Sequence, residues 1–205
     1  MTKKTRERVS SVHRNTNETQ IKVNVNLDGT GKHSIMTGMP FFDHMIQQLS
    51  KHSLIDIDIK CNGDLEIDFH HSMEDVGWAL GKAINEALGD KKGIKRYSFS
   101  YLPMDECLTR CCIDISGRPW LVWNVFLPNL AIKDIETEIF KEFFQSFSQS
   151  AGLTLHIENI YGQNTHHIIE SCFKSMAISM RNAIDIDFRN IDSVPSTKGT
   201  LTGKN

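Results

Sequence analysis

Residues 69–75 read FHHSMED, and residues 165–171 read THHIIES. Each stretch sets two adjacent histidines ahead of a glutamate: His70, His71 and Glu74, then His166, His167 and Glu170. On a helix, residues three and four apart share a face, so each glutamate stands beside both histidines of its pair. The adjacent histidines diverge by about 100° and cannot easily chelate one ion together. The pattern therefore predicts that each histidine serves a different metal centre, where ligands from different helices or different subunits meet. Imidazole and carboxylate without thiolate suit Mn²⁺, Fe²⁺ or Zn²⁺; more than four candidate ligands favour an octahedral ion, manganese first. One such triplet arises on helix surfaces by chance. Two at equivalent places, using four of the chain's nine histidines, point to metal. His44, in FFDHM, lies on another helical stretch and is a candidate to complete a site. His52 and His156 read as structural, and His13 and His33 have no supporting context.

These ligands need a scaffold, and the chain spells one out twice. TQIKVNVNLDGTG alternates and ends in Asp-Gly, a strand and turn. MPFFDHMIQQLSKHS has helical spacing behind Pro40. LIDIDIKCNGDLEID reads as two strands joined at Asn62-Gly63. HHSMEDVGWALGKAINEALGD is a helix closed by Gly89. The segment from Gly93 to Leu127 predicts two or three strands, broken at Gly117-Arg118-Pro119. Then IETEIFKEFFQSFSQSAG (helix), LTLHIENIYGQN (strand and turn) and HHIIESCFKSMAISMRNAI (helix) replay the first half. The expected fold is α+β: two similar halves from an internal duplication, each a mixed β-sheet packed against helices. All 205 residues form a single domain, with halves at roughly 8–92 and 93–192 and a C-terminal tail at 193–205.

Composition excludes several roles. A net charge of −2 with no basic stripe argues against nucleic acid. No apolar run approaches the roughly 18 residues of a membrane span, so no membrane role is expected. The charged start has no apolar region behind it, so it does not read as a secretory signal. Five cysteines without a CxxC pair read as packing groups in a reduced, cytoplasmic protein. KKGIKRYS, SGRPW and PSTKG each set a cation beside a glycine or proline. Arg96 and Arg118 offer forks for phosphate, Lys198 with Ser196 and Thr197 resembles a small anion cradle, and Lys174 lies one turn beyond Glu170. With a metal nearby, they suggest an anionic substrate.

PFFDHM, HHSMEDVGWALG, KGIKR, DISGRPWL, GLTLHI, NTHHIIE and VPSTKG, in this order, resemble the imidazoleglycerol-phosphate dehydratase family from about residue 5 onward. The resemblance implies dehydration of D-erythro-imidazole glycerol phosphate to imidazole acetol phosphate, a hydro-lyase step of histidine biosynthesis. It implies two Mn²⁺ per active site and a homo-oligomer of 24 subunits with sites between subunits. Carried over, the expected ligands are His44, His70, His71, Glu74, His166, His167 and Glu170. Glu18, Gln48, Arg96, Arg118, Lys174, Ser196 and Lys198 fall on substrate-contacting positions, with Thr197 in the same loop. Some members carry a ligating histidine where this chain has Glu142, which can ligate through oxygen. Metals on both ring nitrogens would favour an imidazolate able to expel the hydroxyl, with Glu18 and Glu170 as proton carriers. A metal-dependent hydrolase of a phosphorylated small molecule and a non-enzymatic metal-binding module are the competing readings. The first would release inorganic phosphate; the second would not need the phosphate-type cations.

Overall fold

The computed structural model describes residues 7–201; the first residues of the charged start and the end of the tail lie outside them. Strand β1 (Val9–Asn15) leads into β2 (Thr19–Asn26), whose TQIKVNVN alternates buried and outward positions as a half-covered strand must. Strand β3 (His33–Met36), helix α1 (Pro40–Ser53), strand β4 (Asp56–Gly63) and helix α2 (His70–Leu88) complete the first half. The second half runs β5 (Tyr97–Met104), β6 (Cys107–Asp114) and β7 (Trp120–Asn124). A small β8–β9 hairpin (Ala131–Ile132 with Ile135–Glu136) then precedes helix α3 (Ile139–Ala151), strand β10 (Thr154–Tyr161) and helix α4 (Thr165–Ile184).

The two sheets have one topology. The orders are β1-β2-β4-β3 and β5-β6-β10-β7, each with one parallel pair at the same edge. The chain is thus α+β with two similar halves. Helices α1 and α2 lie on the first sheet and α3 and α4 on the second, but across the middle α2 packs on α3 and α1 on α4. Each half therefore meets the other through crossed helix pairs.

Phenylalanines fill this middle layer. Phe143 and Phe173 stack at 5.2 Å, Phe144 meets Phe173 at 4.8 Å, and Phe42 from the other half reaches Phe143 at 5.3 Å. Burying each ring contributes about 1.5–3 kcal/mol. VGWALG on α2 supplies the complementary feature. A Cβ on Gly77 would stand 2.6 Å from the Phe143 carbonyl oxygen, and one on Gly81 would stand 2.5 Å from that of Phe147. Both glycines let two helix backbones touch.

Two local expectations are corrected, and two strands went unrecognised. The hairpin at Asn62-Gly63 is absent: β4 ends at Gly63 and residues 64–69 form turns into α2. DLEID carries only two apolar residues; Leu65 packs on the core, while Ile67 is exposed. Strand β1 lay unrecognised inside the charged start because it buries a single apolar residue, Val12. Strand β3, a short parallel edge, was hidden for the same reason. The helix expected from Ile135 begins at Ile139, since Ile135 and Glu136 pair into the β8–β9 hairpin.

The cysteines are free, and four of the five are buried. They sit as the alternation of CLTRCCID requires, with Cys107 and Cys111 inward and Cys112 on the outer face. Burial raises the Cys61 thiol to about 11 and the Cys111 thiol to about 12. Among the described residues, no helix is long and apolar enough to cross a membrane.

Gly77→Ala should destabilise the fold by about 1–3 kcal/mol through overpacking, although alanine is the better helix former by about 1 kcal/mol. Urea denaturation of the variant measures the difference; a gain in stability would refute the close-contact account.

Candidate metal centre and active site

The two histidine pairs stand in the first turns of α2 and α4. Asp68 accepts the His70 amide at 2.8 Å, and Asn164 accepts the His166 amide at 2.9 Å. Asn164 is the N-cap of α4, while Asp68 bonds the first α2 amide from just ahead of the Phe69 cap; both satisfy otherwise unpaired helix donors and hold the first turn in place.

Because α1 crosses α4, His44 arrives beside the second pair. Donor atoms of His44, His166 and Glu170 all lie within 4.8 Å of one another. Glu170 Oε2 accepts from His166 Nε2 at 3.0 Å and lies 3.7 Å from His44 Nε2. Lys174 Nζ is 2.6 Å from the other carboxylate oxygen. Burial pushes the Glu170 carboxyl up, but Lys174, His166 and the nearby His44 outweigh that and hold it below the usual carboxylate range. The result is a buried anion facing two half-exposed imidazoles. Phe41 packs edge-on against His166 at 5.0 Å and restrains that ring.

The α2–α3 crossing builds the counterpart. His70 Nε2 lies 3.9 Å from Glu74 Oε2, and His70 and Glu142 line one cavity of about 500 Å³ with Trp123, Phe126 and Leu130. Glu142 on α3 takes the place that His44 takes on α1. Among the described residues, these three do not converge as tightly as the first group.

His71 and His167 point elsewhere. His71 Nδ1 donates to Asp64 at 3.0 Å, and its Nε2 lies 4.0 Å from Glu18. His167 Nδ1 donates to Glu106 at 2.7 Å, and its Nε2 lies 3.6 Å from Asp105. The hydrogen bond to Asp64 raises the His71 ring above its ordinary value despite some burial. Backbone amides of Asn164 and Gln163, with His167, hold the Glu106 carboxyl down at about 2. The adjacent histidines thus separate to different environments, as a regular helix demands.

A family model described as imidazoleglycerol-phosphate dehydratase matches residues 37–180. The chain belongs to the imidazoleglycerol-phosphate dehydratase family. It is 55% identical over 197 residues to the imidazoleglycerol-phosphate dehydratase of Sinorhizobium fredii, covering 96% of this chain and 98% of that one. It is 53% identical to that of Ruegeria pomeroyi over 95% of this chain and 100% of the relative. Crystal structures of imidazoleglycerol-phosphate dehydratases superpose with TM-scores of 0.80. The Staphylococcus aureus protein is 35% identical, over 87% of this chain and 99% of its own. The Pyrococcus furiosus protein is 31% identical, over 93% and 100%.

The residues expected to touch substrate in an imidazoleglycerol-phosphate dehydratase are spread over several places. Gln48 and Lys174 border the His44 cluster: the Gln48 amide donates to His44 Nε2 at 3.4 Å. Glu18 is exposed in the β1–β2 turn beside His71. Ser196, Thr197 and Lys198 occupy the C-terminal loop, and Arg118 is exposed after β6 with its backbone clamped by Ser116 and Thr154. Arg96 is buried, and its fork grips Asp114 at 2.7 and 3.2 Å instead of facing outward as a free anion fork. Its third nitrogen donates to the Pro195 carbonyl at 2.9 Å, which ties down the Ser196–Lys198 loop.

Asp64, Asp105 and Glu106 were not singled out from sequence. His52, read there as structural, donates to Gln48 at 3.2 Å, and burial with the charge of Lys174 lowers its pKa. Glu106 gave no signal in the sequence, being 61 residues from His167.

Arg96→Ala should free the 195–199 segment and leave Asp114 unpaired, costing about 1–3 kcal/mol. Trypsin should then cut native protein after Lys198 faster than wild type, as read by mass spectrometry; an unchanged rate would show that the loop is anchored otherwise.

Proposed function

We propose that this chain dehydrates D-erythro-imidazole glycerol phosphate to imidazole acetol phosphate and water in histidine biosynthesis, as a hydro-lyase using two Mn²⁺ per active site. The observation that carries the reading is the convergence of His44, His166 and Glu170 at the α1–α4 crossing, in a chain of this family. Two imidazole nitrogens and an anionic oxygen, with no thiolate at the site, suit a borderline divalent cation. Three donors also leave coordination positions for substrate and for further histidines. The same logic assigns His70, Glu74 and Glu142 to a second ion. A bound ion supplies Lewis acidity that stabilises negative charge on the substrate's imidazole ring.

The chain's own groups do the rest. Glu18 stands exposed beside His71, able to take or return a proton at a substrate carbon. Glu170, hydrogen-bonded to Lys174 and His166, stays ionised and keeps its oxygens directed at the cluster. Gln48 orients His44 and is itself held by His52. Arg118, Lys198 and Ser196 would hold the phosphate, so that binding energy remote from the reacting bond positions the ring.

Assembly follows from the two outward histidines, which face away from their own chain's ligand groups and suit sites shared between subunits in a 24-subunit shell. A second support is the outer face of the second sheet. Tyr97, Phe99, Tyr101 and Trp120 are more than half exposed there, whereas the equivalent face of the first sheet carries His13, Lys22, Asn24 and Lys60. Three of these rings line edge strand β5 and Trp120 the opposite edge β7, and exposed aromatics at the edges of a sheet are an expected contact for another subunit.

Elemental analysis of the largest oligomeric species should find two manganese ions per chain, and His44→Ala should remove about one. Chelation should abolish turnover and the largest species together. Glu18→Gln should retain metal while lowering kcat by about 10²- to 10⁴-fold. Metal-replete protein that forms no ketone product from imidazole glycerol phosphate would refute the function, and normal turnover by Glu18→Gln would refute that residue's role.

A further inference from the structure

Two carboxylates stand behind the outward histidines. Asp64 sits in the turn between β4 and α2, and Glu106 in the hairpin between β5 and β6. Each accepts a hydrogen bond from Nδ1 of the second histidine of a pair, at 3.0 Å for His71 and 2.7 Å for His167. An ionised carboxylate can only accept, so in both rings Nδ1 carries the hydrogen, and the neutral ring keeps its lone pair on Nε2.

The two contacts are not copies of one inherited feature. Asp64 precedes its histidine by 7 residues and Glu106 precedes its own by 61. In the second half the β10–α4 turn carries Gln163 and Asn164, and their amides donate to Glu106 at 3.1 and 2.7 Å. The carboxylate there has come from the neighbouring hairpin, yet it meets the same nitrogen of the equivalent ring. A contact serving only local packing had no reason to be rebuilt from another part of the chain. A requirement on the ring itself explains why both halves meet it.

We propose that Asp64 and Glu106 are positioning residues that lock His71 and His167 in the Nδ1–H tautomer and aim Nε2 away from the His44 and His70 ligand groups, towards Glu18 in one half and Asp105 in the other, ready to ligate a divalent cation. The inference rests on the dimanganese reading above. A carboxylate behind a ligating imidazole also raises its basicity, and removing such a partner typically weakens metal affinity by about 10–100-fold. Asp64 is held less firmly, because its second oxygen is buried without a hydrogen-bond partner. Glu106 is held by two backbone amides and by the ring.

The test measures manganese dissociation constants, by competition with a chelating dye, for wild type, Asp64→Asn, Glu106→Gln and the shortened carboxylate Glu106→Asp. The thermal midpoint of each metal-free protein is measured alongside. Both amides should weaken manganese binding about 10–100-fold with metal-free midpoints near that of wild type, and Glu106→Asp should recover part of the loss. Unchanged affinity in both amide variants overturns the proposal. So does an affinity loss matched by a fall in metal-free stability, which would mark the contacts as supports for the turns. Wild type that binds no manganese would sink the dimanganese reading, a result distinct from manganese-binding wild type with unaffected variants.

Discussion

The crossed packing of helices between the halves is the contact on which everything else in this molecule depends. Helix α2 lies against α3 so closely that glycines face the Phe143 and Phe147 carbonyls, and α1 lies against α4 around the same aromatic centre. Close-packed interiors transmit small displacements instead of absorbing them. Crossing in this way carries His44 to Glu170 and brings Glu142 to the cavity lined by His70. The sheets supply a platform and the capping contacts hold the first helix turns, but the side chains meet because the halves interlock.

Much of the architecture was legible because its signals are local. The alternation in β2 and β6, Pro40 at the start of α1, the glycines closing α2 and α3, and the repeated histidine helices each rest on residues a turn or a strand apart. Strands β1 and β3 escaped because edge strands bury little: Val12 in one and Ile35 in the other. The DLEID segment misled because a turn that leads into a capped helix can also alternate by chance. Ligand types were legible too, and so was the divergence of adjacent histidines. Which helix would complete which pair was not, since His44 and Glu170 lie in different halves and only tertiary packing joins them. Arg96 taught a related lesson: its guanidinium was visible as a fork, but Asp114, the group that fills it, stands on a different strand.

The halves have diverged where their surroundings differ. Their sheets share an order, yet one outer face is polar throughout and the other carries exposed aromatics along its two edge strands. Their ligand helices share a spacing, yet one carries His44 and the other Glu142. The backbone tolerates both because neither difference touches the phenylalanine layer, which fills volume shared by all four helices. Topology is conserved by the interior, and chemical character is set at positions that the interior does not constrain.

Crossing has a consequence for symmetry. Two identical half-units related by a two-fold axis would make each crossing twice from one sequence, and any substitution would alter both crossings together. In a single chain each position of the shared topology is encoded twice, so His44 stands at one crossing and Glu142 at the other. The covalent link between β1–α2 and β5–α4 is therefore more than a connector: it lets two pockets of one topology differ in chemistry.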